Sequence, residues 1–82
     1  MGLHTKDKNH VYFENKIIPS ADAGTFVFLR GFYSKDSNNV YYKNEIIKEA
    51  DLATFNIENA REAYDKNYNY YDGKIKDKRV IN

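Results

Sequence analysis

The sequence predicts a mostly β domain, β with short helical turns, assembled from tandem antiparallel hairpin or meander units of 29 residues, two full and one partial. Three observations predict it. Asp7, Asp36 and Asp65 recur at a fixed spacing of 29 residues, as do Asn9, Asn38 and Asn67, and Tyr12, Tyr41 and Tyr70. Short aromatic and β-branched runs alternate with Asn, Asp and Gly, the pattern of strands separated by tight turns. Asp72–Gly73 is the kind of dipeptide that most strongly signals a hairpin turn, and it falls inside the third copy of the repeat.

Laid over Gly31–Asn59, the segment Gly2–Arg30 gives 13 identities in 29 positions, too many at one spacing for chance or composition. The third copy begins near Ala60 and keeps Asp65, Asn67, Tyr70, Tyr71 and Ile75, but stops before any counterpart of "ADLATF". The expectation is one repeat domain over residues 1–82, with units at about 2–30, 31–59 and 60–82. Units of this length usually bury an apolar face against their neighbours, so the divergent third unit reads as a cap.

Taken in order, "FVFLRGFYS" (Phe26–Ser34) reads as an aromatic-rich strand. In the turn that follows, an Asp36 or Asn38 side chain can bond the backbone two residues on. "VYYK" is a short strand, Asn44–Glu45 a second tight turn and "IIK" another strand. In "ADAGTF" and "ADLATF" the aspartate caps a single helical or 3₁₀ turn, with Phe26 or Phe55 tucked beneath the unit. "NIENAREAY" (Asn56–Tyr64) resists the pattern: its register argues strand, its composition argues helix, and the reading leans to a short helix or irregular turn.

Side-chain alternation divides each unit into two faces. Val11, Phe13, Val40 and Tyr42 are assigned to the core, with Ile17 or Ile18, Ile46 or Ile47, Ile75, Phe26 and Phe55. The opposite face carries Tyr12, Tyr41 and Tyr70, accompanied by Glu14, Lys43 and Asp72. This tyrosine ladder has three readings: cross-strand neighbours stabilising a sheet, anchors of a protein-binding face, or platforms that stack on sugar rings.

Composition removes several functions. A chain of 82 residues buries only about 60% of its unfolded surface, too little for a large internal active site. There is no cysteine for disulfides or thiolate metal sites, and a net charge of +1 gives no field to steer nucleic acid or anionic lipid. No segment has the roughly eighteen apolar residues needed to span a bilayer, and the start lacks an export signal, so the expected location is cytoplasmic. His4 and His10 are replaced by Tyr33 and Asn39 in the second unit, and no nucleophile elbow, phosphate loop or HExxH occurs, so no catalytic residue and no cofactor are assigned. The Asp-x-Asn strings resemble the opening of a calcium loop, but the later oxygen ligands are missing and Lys6, Lys8, Lys35 and Lys66 would repel a cation.

The strings "KDKNHVYF", "KDSNNVYY" and "YDKNYNYYDGK" resemble the bacterial DKNYY family of repeat proteins, named for this Asp-Lys-Asn-Tyr-Tyr run. The "ADxxTF" spacer is similar to the family's inter-hairpin segment. The resemblance implies a repeat fold and assigns no activity and no catalytic residue. Longer arrays are expected of the family, whereas this chain has fewer than three units, which suggests a compact protein with one task.

The functional expectation is a non-enzymatic protein-binding module, of the kind of a small bacterial or phage inhibitor or immunity-type protein that blocks a partner protein. Tyr12, Tyr41 and Tyr70 would carry the contact, and Glu14, Lys43 and Asp72 would orient it. The alternative is a cell-surface or envelope repeat that binds glycan or acts as a spacer. Neither reading involves a nucleic acid or a membrane, and the oligomeric state stays open.

Overall fold

In the computed structural model, which describes residues 4–79, every regular element is a β-strand. The first sheet is β1 (His4–Lys6), β2 (Val11–Phe13) and β3 (Lys16–Ile17), paired antiparallel in that order. The second is β4 (Val27–Phe28), β5 (Tyr33–Lys35), β6 (Val40–Tyr42) and β7 (Glu45–Ile46). The third is β8 (Asn56–Ile57), β9 (Glu62–Tyr64), β10 (Tyr68–Tyr71) and β11 (Lys74–Lys78). These small meanders stack into a rod of 44 × 25 × 16 Å.

The sheets are offset from the sequence repeat. Val27 and Phe28 follow the first "ADxxTF" spacer, yet they pair with Lys35 and Ser34 of the second unit. Asn56 and Ile57 likewise pair with Tyr64 and Ala63 of the third. Each unit therefore lends its last strand to the next sheet, which ties neighbours together through backbone as well as side chains.

Three local expectations are corrected. "FVFLRGFYS" is a hairpin and not one strand: Leu29 N–H bonds the Tyr33 carbonyl, Tyr33 N–H bonds the Arg30 carbonyl, and Gly31 turns the chain at φ 65°. The second tight turn is Lys43–Asn44, one residue earlier than expected, because Tyr42 pairs with Glu45. Residues 56–64 form no helix: β8 and β9 flank an irregular turn at 58–61, because pairing with β10 outweighs the helical propensity of "ENAREA". The "ADxxTF" spacers do form single turns, Thr25 N–H reaching the Asp22 carbonyl and Thr54 N–H that of Asp51, and both phenylalanines are buried.

Two apolar cores lie between the three units. Val11, Phe13, Ile18, Phe26 and Tyr41 fill the first; Val40, Ile47, Phe55 and Tyr70, with Tyr33 and Ala63, fill the second. Val11, Ile18, Phe26 and Tyr41 map onto Val40, Ile47, Phe55 and Tyr70 at the 29-residue spacing. Fully burying one such side chain contributes about 1.5–3 kcal/mol, so the junctions hold the rod together. Ile18 and Ile47 take the core places, while Ile17, Ile46 and Ile75 are exposed, correcting the assignment of Ile75 to the core.

Candidate functional site

The aspartate of the repeated string is where the units are joined. Asp36 Oδ1 accepts the N–H groups of Asn38 and Asn39, each at 2.8 Å, closing the turn before β6. Its Oδ2 accepts the Tyr41 hydroxyl at 2.8 Å and the main-chain N–H of Asp22, in the preceding spacer, also at 2.8 Å. Asp65 repeats the set with Asn67, Tyr68, Tyr70 and Asp51, at 2.7–2.9 Å. Asn38 and Asn67 serve through their main-chain N–H, so of the two side chains expected to close the turn, the aspartate does so.

Both aspartates are buried, and desolvation pushes their pKa upward. Four donors per carboxylate outweigh that penalty and hold the pKa below the ordinary value of 3.8. Burial, and then the bond to Asp65, drive the Tyr70 phenol well above its ordinary value, and burial raises that of Tyr41. The spacer threonines complete each joint: Ser37 N–H bonds Thr25 Oγ1 at 2.9 Å and Lys66 N–H bonds Thr54 Oγ1 at 3.1 Å.

The expected tyrosine face is therefore corrected. Tyr41 and Tyr70 are 0% exposed, each packed on the preceding unit's phenylalanine with ring centroids 5.6 and 5.4 Å apart. The physical reason is stacking: β6 is covered on both faces, Val40 and Tyr42 toward the third unit and Tyr41 toward the first. Tyr12 has no described unit before it and is half-exposed. Glu14 and Lys43 stand at exposed hairpin tips, Lys43 Nζ lying 5.3 Å from the Phe32 ring centre. Asp72 is occupied within the fold, accepting the Tyr42 hydroxyl at 3.1 Å. Burial and this bond push the Tyr42 phenol up to about 12. His4 is not a free surface group either: its ring lies 4.7 Å from Phe13 and its Nε2 bonds the Lys43 carbonyl at 2.8 Å.

The model of the DKNYY family matches residues 2–74. The chain belongs to the DKNYY family. No match was found among the curated proteins, and none among the solved structures. In this chain four of the five letters of the DKNYY string have a structural duty, seen whole in the second unit: the aspartate joins units, the asparagine donates its main-chain N–H, the first tyrosine caps the aspartate and the second faces the next unit.

What the DKNYY duties leave free is a flank. Ile17, Ile46 and Ile75 occupy matching positions on β3, β7 and β11, at the same edge of each sheet, and are 48%, 37% and 42% exposed. The residue before each changes charge, Lys16, Glu45 and Lys74, while the isoleucine stays. At the third unit Ile75 joins Tyr71, 42% exposed, in a shallow groove of about 510 Å³ rimmed by Glu62, Lys74 and Lys76. Arg61 Nη1 donates to the Tyr71 hydroxyl at 3.0 Å and steadies the ring. Sequence reasoning left each Ile-Ile pair undecided. The signal lay in the third unit, where Lys76 stands at the place of Ile18 and Ile47, so the first isoleucine of each pair is the outward one.

Proposed function

We propose that the protein is a non-catalytic protein-binding module that seats its partner on the isoleucine flank and the Tyr71–Ile75 groove. The observation that carries this is the row Ile17, Ile46, Ile75, apolar and exposed in every unit while its charged neighbour changes sign. A single exposed isoleucine needs no explanation, but a row of them ending in an exposed tyrosine with a charged rim has the make-up of an interface centre. A short rod with one such flank suits a protein that covers a partner's working surface, in the manner of a small inhibitor or immunity-type protein.

The test is a pull-down from the native host with the wild-type chain, an Ile46→Lys/Ile75→Lys variant and a Val27→Lys control. The control alters an exposed valine on β4, at the opposite edge of its sheet. A partner retained by wild type and control, lost by the flank variant, and inhibited when purified supports the reading. Equal capture by all three chains, or binding only to a glycan array, overturns it.

A further inference from the structure

The junction between the second and third units departs from the repeat at the hairpin tips. Between the first two units Phe13 and Phe32 meet edge-on with ring centroids 5.7 Å apart, and Lys43 Nζ lies 5.3 Å from the Phe32 ring centre. Shifted by 29 residues, those three positions are Tyr42, Arg61 and Asp72. An apolar pair that packs at one junction is thus exchanged for charged groups at the next, and such local departures from a fold's own rule mark functional places. The result is a cleft of about 240 Å³ whose aromatic and charged lining is Phe32, Tyr42, Lys43, Arg61 and Asp72.

Two cations reach this cleft, and both are held by neutral groups. Lys43 Nζ lies over the Phe32 and Tyr42 rings, 5.3 and 5.7 Å from their centres, and Arg61 Nη1 donates to the Tyr71 hydroxyl at 3.0 Å. The carboxylate of the lining, Asp72, accepts the Tyr42 hydroxyl at 3.1 Å. Lys43 and Arg61 against Asp72 leave a single positive charge, so the complement is one negative charge. The main chain beneath both cations is fastened. Lys43 N–H bonds the Phe32 carbonyl at 2.9 Å, while the Arg61 carbonyl accepts the Tyr33 hydroxyl at 2.7 Å and Asp72 N–H at 2.9 Å. Anchored donors lose less freedom when a ligand arrives. The cleft is smaller than the roughly 300–1,000 Å³ of sites for drug-sized molecules, which suits one side chain.

We infer that this cleft is a socket for one carboxylate, carried by a glutamate or aspartate side chain of the protein partner. The Arg61 guanidinium, with one corner on Tyr71, offers its other N–H groups as a planar fork that matches a carboxylate. Lys43 exchanges its place over the rings for an ion pair, and the rings then meet the methylene stem of the acidic side chain. A phosphate dianion carries one charge more than the cleft balances. The inference rests on the protein-binding reading and adds the partner's chemistry to it. Tyr71, which Arg61 holds, is also the ring of the groove beside Ile75, so one partner spans both.

The probes are N-acetylglutamic acid α-amide and its glutamine counterpart, titrated at constant ionic strength into the isotope-labelled full chain and followed by NMR. Saturable shifts of the Gly31, Lys43, Arg61 and Asp72 amides are expected from the glutamate probe in the millimolar range, and none from the glutamine probe. Arg61→Gln and Lys43→Gln, both at exposed positions, should each weaken binding at least about tenfold, the scale of one hydrogen bond to a charged group. Asp72→Asn removes the like charge, keeps an acceptor for Tyr42 and should tighten binding. Absence of saturation, equal shifts from the two probes, unchanged binding in both cation variants, or tighter binding of inorganic phosphate than of the glutamate probe overturns the inference. The pull-down decides the flank separately. A captured partner with no glutamate binding overturns the socket alone, and glutamate binding with no captured protein overturns the protein-binding reading alone.

Discussion

The Tyr41 hydroxyl donates a 2.8 Å hydrogen bond to Asp36 Oδ2 inside the core between the first two units. The Asp7–Tyr12 pair has the same 2.8 Å length but stands near solvent. One motif thus occurs in two environments within a chain, and the difference can be measured. Tyr41→Ala removes a fully buried ring and leaves a cavity, so it should cost about 3–5 kcal/mol in urea unfolding. Tyr41→Phe, which keeps the ring and deprives Asp36 of one donor, should cost about 1–3 kcal/mol. Tyr12→Ala should cost about 1 kcal/mol or less, near the surface range. If Tyr41→Ala left the melting temperature unchanged, the ring would not be where the fold places it.

The two buried carboxylates set the acid limit of stability. The Asp36 and Asp65 pKa values are lowered in the folded chain, since hydrogen bonds outweigh burial, so the unfolded chain binds protons first. The stability they contribute is fully present above the ordinary value of 3.8 and is lost as the pH falls below it. Asp36→Asn should remove part of that acid dependence and lower stability at neutral pH. An unfolding free energy that is flat from neutral pH down through pH 3, about one unit below the ordinary carboxylate value, would contradict the joint.

At the alkaline limit the sign reverses in origin. The Tyr33, Tyr41, Tyr42 and Tyr70 phenols are raised, in each case chiefly by burial, so folded protein disfavours tyrosinate. Their contribution is complete below the ordinary value of 10.0 and declines above it, for Tyr42 until about 12. Tyrosinate absorbance from these four rings should therefore appear only above the ordinary value of 10.0, together with unfolding. A single stage at the ordinary value for all the tyrosines would show that the rings are wet.

The sequence carried the repeat and the β class plainly, because identical residues at one spacing and Asp-Gly at a hairpin need no knowledge of partners in space. It misdirected the tyrosines because alternation gives two faces without saying that both are covered. A lone sheet has one wet face; β6, stacked between neighbours, has none. Propensity misdirected residues 56–64 for a related reason: "ENAREA" favours helix in isolation, and pairing of Ala63 with Tyr70 overrides it. Asp36 was legible as a turn closer but not as an inter-unit joint, because its fourth donor, Asp22 N–H, comes from the main chain and leaves no side-chain signature.

Gly31 tests the contact between the second and third units. It turns the chain at φ 65°, and a Cβ there would lie 2.2 Å from the Ala60 carbonyl oxygen, backbone that cannot swing aside. Gly31→Ala therefore meets both left-handed strain and a clash, and should cost about 2 kcal/mol or more. The loss should be local first. Hydrogen exchange at Asp51 N–H, which bonds Asp65, should quicken, while Asp22 N–H, at the other joint, keeps most of its protection. Equal acceleration at both amides would mean that the rod opens as one unit.

Ser34 is a place where the chain has room to improve. Its side chain is 0% exposed, and among the described residues its Oγ has no hydrogen-bond partner. A hydroxyl desolvated without a partner is unfavourable, and the corresponding residue of the third unit is Ala63, buried in the same position on β9. Ser34→Ala keeps the backbone pairing with Tyr41 and deletes only the orphaned oxygen. The variant should gain on the order of 1 kcal/mol, seen as a rise of about 4–8 °C in the melting temperature of a domain this size. A fall in melting temperature would mean that the oxygen has a partner, an ordered water bridging the first two units, and that the joint between them is wetter than its side chains suggest.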